Sequence, residues 1–158
     1  MPGLEDLYRE IILDHYRAPR NRGELPVPPA HKAEGFNPLC GDRLTVYLKV
    51  DEGRIVDASF QGSGCAISKA SASLMTDAVK GKTVAEARDL FEHFHAMITS
   101  EPGTDTEDLG KLSVFAGVRE FPTRIKCASL AWHTMKAAVA HETDPATALG
   151  ASAPVTTE

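Results

Sequence analysis

The chain has 158 residues, a length typical of one domain that buries a core without disulfide bonds. Its 17 basic and 22 acidic residues give a net charge of −5 with histidine neutral, which argues against a nucleic-acid-binding protein. No apolar run approaches the roughly 18 residues that cross a bilayer, and the acidic first residues differ from a signal peptide. We therefore expect a cytoplasmic protein that contacts neither membrane nor nucleic acid.

Apolar residues at helical spacing predict four helices and one short helical segment. In chain order the periodic stretches are residues 4–12, 67–79, 84–98, 109–115 and 128–139. Pro19 ends the first helix, and Gly81 follows the second at a typical C′ position. Thr83 and Glu86 have the spacing of a capping box, which predicts the start of the third helix.

Strict alternation predicts an antiparallel hairpin over residues 43–61, between a proline-rich loop at 21–29 and the second helix. Its buried face contains Leu44, Val46, Leu48, Val50, Val56, Ala58 and Phe60. This order of elements predicts an α+β fold, a small antiparallel β-sheet with helices packed on one face. Because periodicity is lost after the last helix, we expect residues 1–142 to form the domain and residues 143–158 a disordered C-terminal tail.

Three cysteines, Cys40, Cys65 and Cys127, each lie at a junction between predicted elements. Their odd number and the expected reducing compartment argue against a disulfide framework, so we interpret them as thiols. Helix N-termini favour the thiolate, which is both the nucleophilic and the metal-binding form. Glycines beside Cys40 and Cys65 allow the backbone to approach a bound ion closely. Packing as small apolar residues explains any one cysteine, but it explains three junction cysteines poorly.

Three thiolates need a fourth ligand to complete a tetrahedral zinc site. Asp42 is the best local candidate, since alternate residues of a strand point to the same side and Asp42 lies two residues from Cys40. On spacing alone, a solvated loop acid explains Asp42 better. His133 lies off the helix face of the last cysteine, and His93 and His95 are expected at the surface or half-buried. No paired CxxC, phosphate-binding loop or dinucleotide motif occurs, so spacing by itself indicates a metal only weakly.

Three segments of this chain resemble the cysteine motifs of the iron–sulfur scaffold superfamily, the family of IscU and the NifU N-terminal domain. They are PLCGD at 38–42, GSGCAIS at 62–68 and FPTRIKCA at 121–128. Residues 7–21 are similar to the opening helix of that family as well. The resemblance covers about residues 4–141, nearly everything but the expected tail.

Departures from the scaffold-type pattern indicate one branch of this superfamily. Lys126 stands where scaffold-type members have a histidine before the last cysteine, and residues 120–124 replace their LPPVK segment. Additional residues also occur around 102–111. Together with LAWH at 130–133, these features are similar to the SufU branch.

The SufU resemblance implies a zinc ion held by Cys40, Asp42, Cys65 and Cys127. It also implies sulfur transfer from a SufS-type, pyridoxal-phosphate-dependent cysteine desulfurase, with Cys40 as the sulfur acceptor and other SUF assembly proteins as partners. The expected function is thus a zinc-dependent sulfurtransferase that serves iron–sulfur cluster assembly.

Two alternatives stay open at this point. One is a scaffold that binds a transient iron–sulfur cluster, and the other is a metal-free domain with incidental cysteines. Protonated Lys126 is a poor metal ligand, which favours the transferase over the scaffold. Lys126 and Arg124 would also lower the pKa of nearby thiols, unless they are simply solvated charges at a helix start.

Overall fold

The computed structural model describes residues 4–27, 29–38, 41–101, 109–143 and 155–156. In chain order its elements are α1 (Leu4–Arg17), β1 (His31–Asn37), β2 (Asp42–Asp51), β3 (Arg54–Ser63), α2 (Ala66–Val79), α3 (Val84–Thr99), a 3₁₀ helix (Gly110–Glu120), α4 (Pro122–Thr143) and β4 (Val155–Thr156). Helices α2 and α4 pack against the sheet, which confirms the α+β fold. Among the described helices, none has the length and apolar character needed to span a membrane.

The sheet has the strand order β3-β2-β1-β4. β2 is antiparallel to both β1 and β3, and β4 adds two residues parallel to β1. The sequence did not predict β1, because its inward positions hold small residues such as Ala33 and Gly35 instead of large apolar ones. Hydrophobic alternation is therefore weak in β1, although the strand pairs with β2 from His31 to Asn37.

The predicted buried face of the hairpin is correct except at Val56. The register between β2 and β3 shifts between Lys49 and Val50, which marks a β-bulge. Beyond the bulge Ile55 points inward and is fully buried, whereas Val56 is 47% exposed. Because one additional residue in a strand reverses the faces that follow it, simple alternation placed Val56 on the wrong side.

Helix α4 packs against β1 and β2 and also against helices α2 and α3. All the apolar residues predicted for its buried stripe are buried, and Trp132 is fully enclosed. α4 approaches β1 so closely that a Cβ atom on Gly35 would lie 2.1 Å from Thr134 Oγ1. The absence of a side chain at Gly35 thus allows the last helix to press against the strand that leads to the first cysteine motif.

Both predicted helix signals around Thr83 are confirmed. The backbone amide of Glu86 donates to Thr83 Oγ1 at 3.1 Å, and Glu86 Oε1 accepts from the Thr83 amide at 2.9 Å. Gly81 follows α2 with a φ of +84°, a conformation that favours glycine. The chain between these two caps is a short connection from α2 to α3.

The predicted boundary after residue 142 stays a prediction. Thr143 ends α4, and Val155–Thr156 form β4 beside Gly35 and Phe36. This short pairing differs from the disorder expected for the tail, because backbone hydrogen bonds to a sheet edge need no apolar periodicity. The other residues of the expected tail lie outside the described part of the chain.

Candidate metal centre

Three of the four residues that the resemblance implies as zinc ligands converge at one end of the sheet. The ligand atoms of Asp42, Cys65 and Cys127 all lie within 4.8 Å of one another. They come from the start of β2, the N-terminus of α2 and the second turn of α4. We refer to these three residues as the candidate metal centre.

Asp42 is fully buried as the first residue of β2. Its Oδ1 atom accepts a hydrogen bond from the backbone N–H of Cys65 at 2.9 Å. Gly64 makes this approach possible, since a Cβ atom there would lie 2.7 Å from Asp42 Oδ1. The glycine-rich loop before α2 thus brings the carboxylate and the second cysteine together, and the solvated position that spacing favoured for Asp42 is wrong.

Cys65 is the N-cap residue of α2, with φ −72° and ψ 171°. Its Sγ atom accepts a hydrogen bond from the backbone N–H of Ser68 at 3.5 Å, in the position that a serine or aspartate oxygen usually occupies. The pKa of Cys65 is lowered to about 6, chiefly by a hydrogen bond with Cys127 and further by the Ser68 amide. Desolvation and the negative charge of Asp42 act in the opposite direction. Cys65 is therefore largely a thiolate at neutral pH.

Asn37 is a member of this site that sequence reasoning missed. It is fully buried at the end of β1, and its side-chain Nδ2 donates to Asp42 Oδ2 at 3.3 Å and to Cys127 Sγ at 3.5 Å. Asn37 and Asp42 are paired across β1 and β2. The only sequence signal was its place three residues before Cys40, and without a predicted β1 that position had no structural meaning.

Cys40, the predicted sulfur acceptor, lies outside the described residues. The strand ends on both sides of its loop are described, and they reach the candidate metal centre: Asn37 ends β1 and Asp42 begins β2. The backbone N–H of Gly41 also donates to the carbonyl of Asn37 at 2.8 Å. The loop that carries Cys40 therefore begins and ends beside the three converging ligands.

The histidines occupy the positions expected for them away from this site. His133 is half-buried and packs edge-on against Phe91 and His95, with ring centroids 5.2 and 5.7 Å away. His93 is exposed and His95 half-buried. Burial lowers the pKa of His133, and the neighbouring His95 and Lys136 lower it further. None of the three belongs to a metal-binding group found within the described ranges.

The two basic residues near the last cysteine have different surroundings. Arg124 is exposed and places its guanidinium 4.8 Å from the centroid of the Phe121 ring. Lys126 is half-buried in the first turn and a half of α4. The largest cause of the low pKa of Cys65 is neither of these charges but the neighbouring thiol of Cys127, which the sequence did not reveal.

The donor set of the candidate metal centre fits zinc. Two sulfurs bound at about 2.3 Å to a tetrahedral zinc lie roughly 3.8 Å apart, which the observed spacing permits. Two thiolates and a carboxylate are ligands that zinc accepts, and three of them leave one tetrahedral position for a fourth ligand. Their hydrogen bonds to Asn37 and Ser68 supply the outer contacts that orient metal ligands.

Comparison with known proteins places this geometry in a family. Residues 7–128 match the model of the NifU-like N-terminal domain. The chain is 43% identical over 139 residues to the zinc-dependent sulfurtransferase SufU of Bacillus subtilis. The aligned region covers 88% of this chain and 93% of that protein. It is also 41% identical over 136 residues to the iron–sulfur cluster assembly scaffold protein IscU of Streptococcus pyogenes. That aligned region covers 86% of this chain and 84% of the relative.

A solved structure agrees with these sequence relationships. The putative iron–sulfur cluster assembly scaffold protein for the SUF system from Fervidobacterium islandicum superposes with a TM-score of 0.76 at 34% identity. The match covers 87% of this chain and 99% of the other. The chain therefore belongs to the family of NifU-like N-terminal domains.

Proposed function

We propose that this SufU-like protein is a zinc-dependent sulfurtransferase that accepts persulfide sulfur from a SufS-type cysteine desulfurase for iron–sulfur cluster assembly. The observation that carries the proposal is the convergence of Asp42, Cys65 and Cys127 beside the loop that bears Cys40. The similarity to a Bacillus subtilis protein named as a zinc-dependent sulfurtransferase supports it. We propose Cys40 as the fourth ligand, the cytoplasm as the location and other SUF assembly proteins as further partners.

Three of the residues proposed as ligands are held in place by the fold. Cys65 caps α2, Cys127 lies within α4, and Asp42 accepts a backbone hydrogen bond at the start of β2. Cys40 lies between Asn37, the last residue of β1, and Asp42, the first residue of β2. Bound zinc would keep the thiols deprotonated at neutral pH without redox chemistry of its own. A ligand from the partner that replaces Cys40 would therefore release a thiolate.

The proposed transfer is a thiol–persulfide exchange on Cys40. The Cys40 thiolate attacks the outer sulfur of the cysteine persulfide on the desulfurase, and a new S–S bond forms at Cys40. The S–S bond in the desulfurase persulfide breaks, and its cysteine leaves as a thiolate. The exchange moves one sulfur atom with no net oxidation or reduction, so no further oxidant or reductant is needed.

Mass spectrometry tests the assignment of the acceptor. The protein is incubated briefly with a SufS-type desulfurase and cysteine, and peptides are then mapped for an added sulfur of about 32 Da. We expect the added sulfur on Cys40, and no acceptor activity in Cys40→Ala. Since every ligand variant weakens the metal site, zinc content is measured in parallel for Cys65→Ala and Cys127→Ala. A persulfide mapped mainly to Cys127 would contradict the proposal.

The second candidate function is a scaffold for a transient iron–sulfur cluster. The relative from Streptococcus pyogenes is named as such a scaffold, and thiolate ligands suit iron as well as zinc. Anaerobic reconstitution with iron and sulfide separates the two functions. Protein that keeps one zinc and no acid-labile sulfide supports the transferase, whereas a stable cluster that displaces zinc supports the scaffold.

A further inference from the structure

Asn37 contributes both its backbone and its side chain to the base of the loop that carries Cys40. Its carbonyl accepts from the Gly41 amide at 2.8 Å, and its register partner across the sheet is Asp42. The side chain is fully buried and extends toward α4, where it reaches Cys127. Asn37 thus contacts two members of the candidate metal centre that lie on different elements, β2 and α4.

In both side-chain contacts Asn37 is the hydrogen-bond donor. A carboxylate oxygen and a cysteine sulfur can both accept hydrogen bonds, so the amide nitrogen of Asn37 faces them and its two hydrogens divide between Asp42 Oδ2 and Cys127 Sγ. The other oxygen of Asp42 accepts from the Cys65 amide at 2.9 Å. Among the contacts of the described residues, each carboxylate oxygen accepts one hydrogen bond, and a carboxylate oxygen has a second lone pair that can bind a cation. This arrangement fixes the rotation of the carboxylate while leaving it able to bind a cation.

We propose that Asn37 is a positioning residue that holds Asp42 and Cys127 in the arrangement that binds zinc. The inference rests on the zinc site of the proposed function. Removal of outer contacts to metal ligands lowers metal affinity by about 10- to 100-fold. Asn37 also reduces the repulsion between Asp42 and Cys127 when both carry negative charge, because it presents N–H groups to both.

Two variants with the same number of side-chain heavy atoms as asparagine separate the hydrogen bonds from packing. Asn37→Leu removes the donor, and we expect zinc to dissociate about 10-fold more readily. Asn37→Asp replaces the donor by a negative charge beside two anionic ligands, and we expect a loss of about 100-fold. Thr134→Val is the matched control, since Thr134 is also fully buried between α4 and β1 but donates to the Leu130 carbonyl. It should stay within twofold of the parent protein.

The measurements are zinc affinity, from competition with a chromophoric chelator, and the visible absorption of the cobalt-substituted protein. A positioning role predicts altered cobalt d–d bands in both Asn37 variants, which a purely structural role would leave unchanged. Thermal unfolding and circular dichroism of the metal-free variants report folding separately. Zinc affinities within twofold of the parent in both variants would overturn the proposal. Loss of the helical signal in both would also overturn it, because Asn37 would then serve folding.

These outcomes are independent of the sulfur-transfer result. If the parent binds zinc through sulfur and oxygen but accepts no persulfide, the proposed activity fails while the role of Asn37 is still decided by the variants. If the parent accepts persulfide on Cys40 and both variants bind zinc as tightly as the parent, only the Asn37 proposal fails. A parent protein that binds no zinc overturns both.

Discussion

The candidate metal centre and the aromatic core of this domain are held together by opposite kinds of interaction. The aromatic core comprises Phe94, Phe115 and Trp132, all fully buried, with the Phe94 and Trp132 rings stacked at 4.5 Å between centroids. The metal centre comprises a carboxylate and two thiols that repel one another when ionised. The aromatic core is held by apolar packing, whereas the metal centre needs hydrogen-bond donors or a cation. The comparison implies that folding and metal binding are separable.

The largest expected effect is a loss of unfolding free energy on substitution of a side chain in the aromatic core. Trp132→Ala removes a fully enclosed side chain and should lower the free energy of unfolding of the metal-free protein by about 3–5 kcal/mol. Phe121→Ala is the control, because Phe121 is 47% exposed and its loss should cost less than about 1 kcal/mol. Urea denaturation followed by circular dichroism measures both. Equal losses would show that the core is not where the stability lies.

Removal of zinc should have the next largest effect, without unfolding the chain. In the proposed site the ion would join ligands from three elements, so bound zinc should stabilise the native state by mass action, about 4 kcal/mol at a thousandfold excess over Kd. For a domain of this size, chelation should lower the thermal midpoint on the order of 10 °C. Calorimetry with and without chelator measures the shift. Complete unfolding on chelation would contradict the independence of the core, and an unchanged midpoint would contradict a bound metal.

A single methyl group at the loop before α2 tests how tightly the metal centre is packed. Gly64→Ala places a Cβ atom 2.7 Å from Asp42 Oδ1 and should cost about 1–3 kcal/mol while displacing the carboxylate. Gly117→Ala is the matched control, since a Cβ atom there meets nothing within 4 Å. Thermal unfolding and zinc content are compared in both. Zinc retention by Gly64→Ala equal to that of the control would mean that Asp42 is not held as described.

The smallest expected effect is a difference in thiol reactivity. In the metal-free protein the pKa of Cys65 is about 6, so its alkylation rate should fall only as pH drops through about 6. The same peptide in urea-unfolded protein should show a midpoint near 8.5, about the value for a free cysteine. Cys127→Ala removes the largest cause of the low pKa and should move the midpoint upward. A midpoint that is the same in folded and unfolded protein would contradict the hydrogen-bonded thiol pair.

The helices were predicted well because each carries its own signal. The capping box at Thr83, the glycine after α2 and the buried stripe of α4 all depend on residues a few positions apart. Errors appeared where a signal depends on a partner strand. β1 was missed because its inward residues are small, and Val56 was misplaced because a bulge is a property of the pairing of β2 with β3.

In the candidate metal centre, too, the sequence predicted some features and only the folded structure revealed others. Asp42 and Cys65 stand out by residue type, and their positions at the start of a strand and of a helix could be predicted from local periodicity. Spacing favoured a solvated Asp42, and only the folded chain shows it buried against the Cys65 amide. The contact between Asn37 and Cys127 joins residues 90 positions apart and has no sequence signature.

The sequence by itself determined the helices, the hairpin, the resemblance to a family and the residues able to bind a metal, because these depend on residue type and short-range spacing. The tertiary structure decided which of those residues meet. The approach of α4 to Gly35 and of Asp42 to Gly64 brings the strand, the loop and the helix within hydrogen-bonding distance. Such distances follow from the packing of whole elements against one another, and the local spacing of residues does not predict that packing.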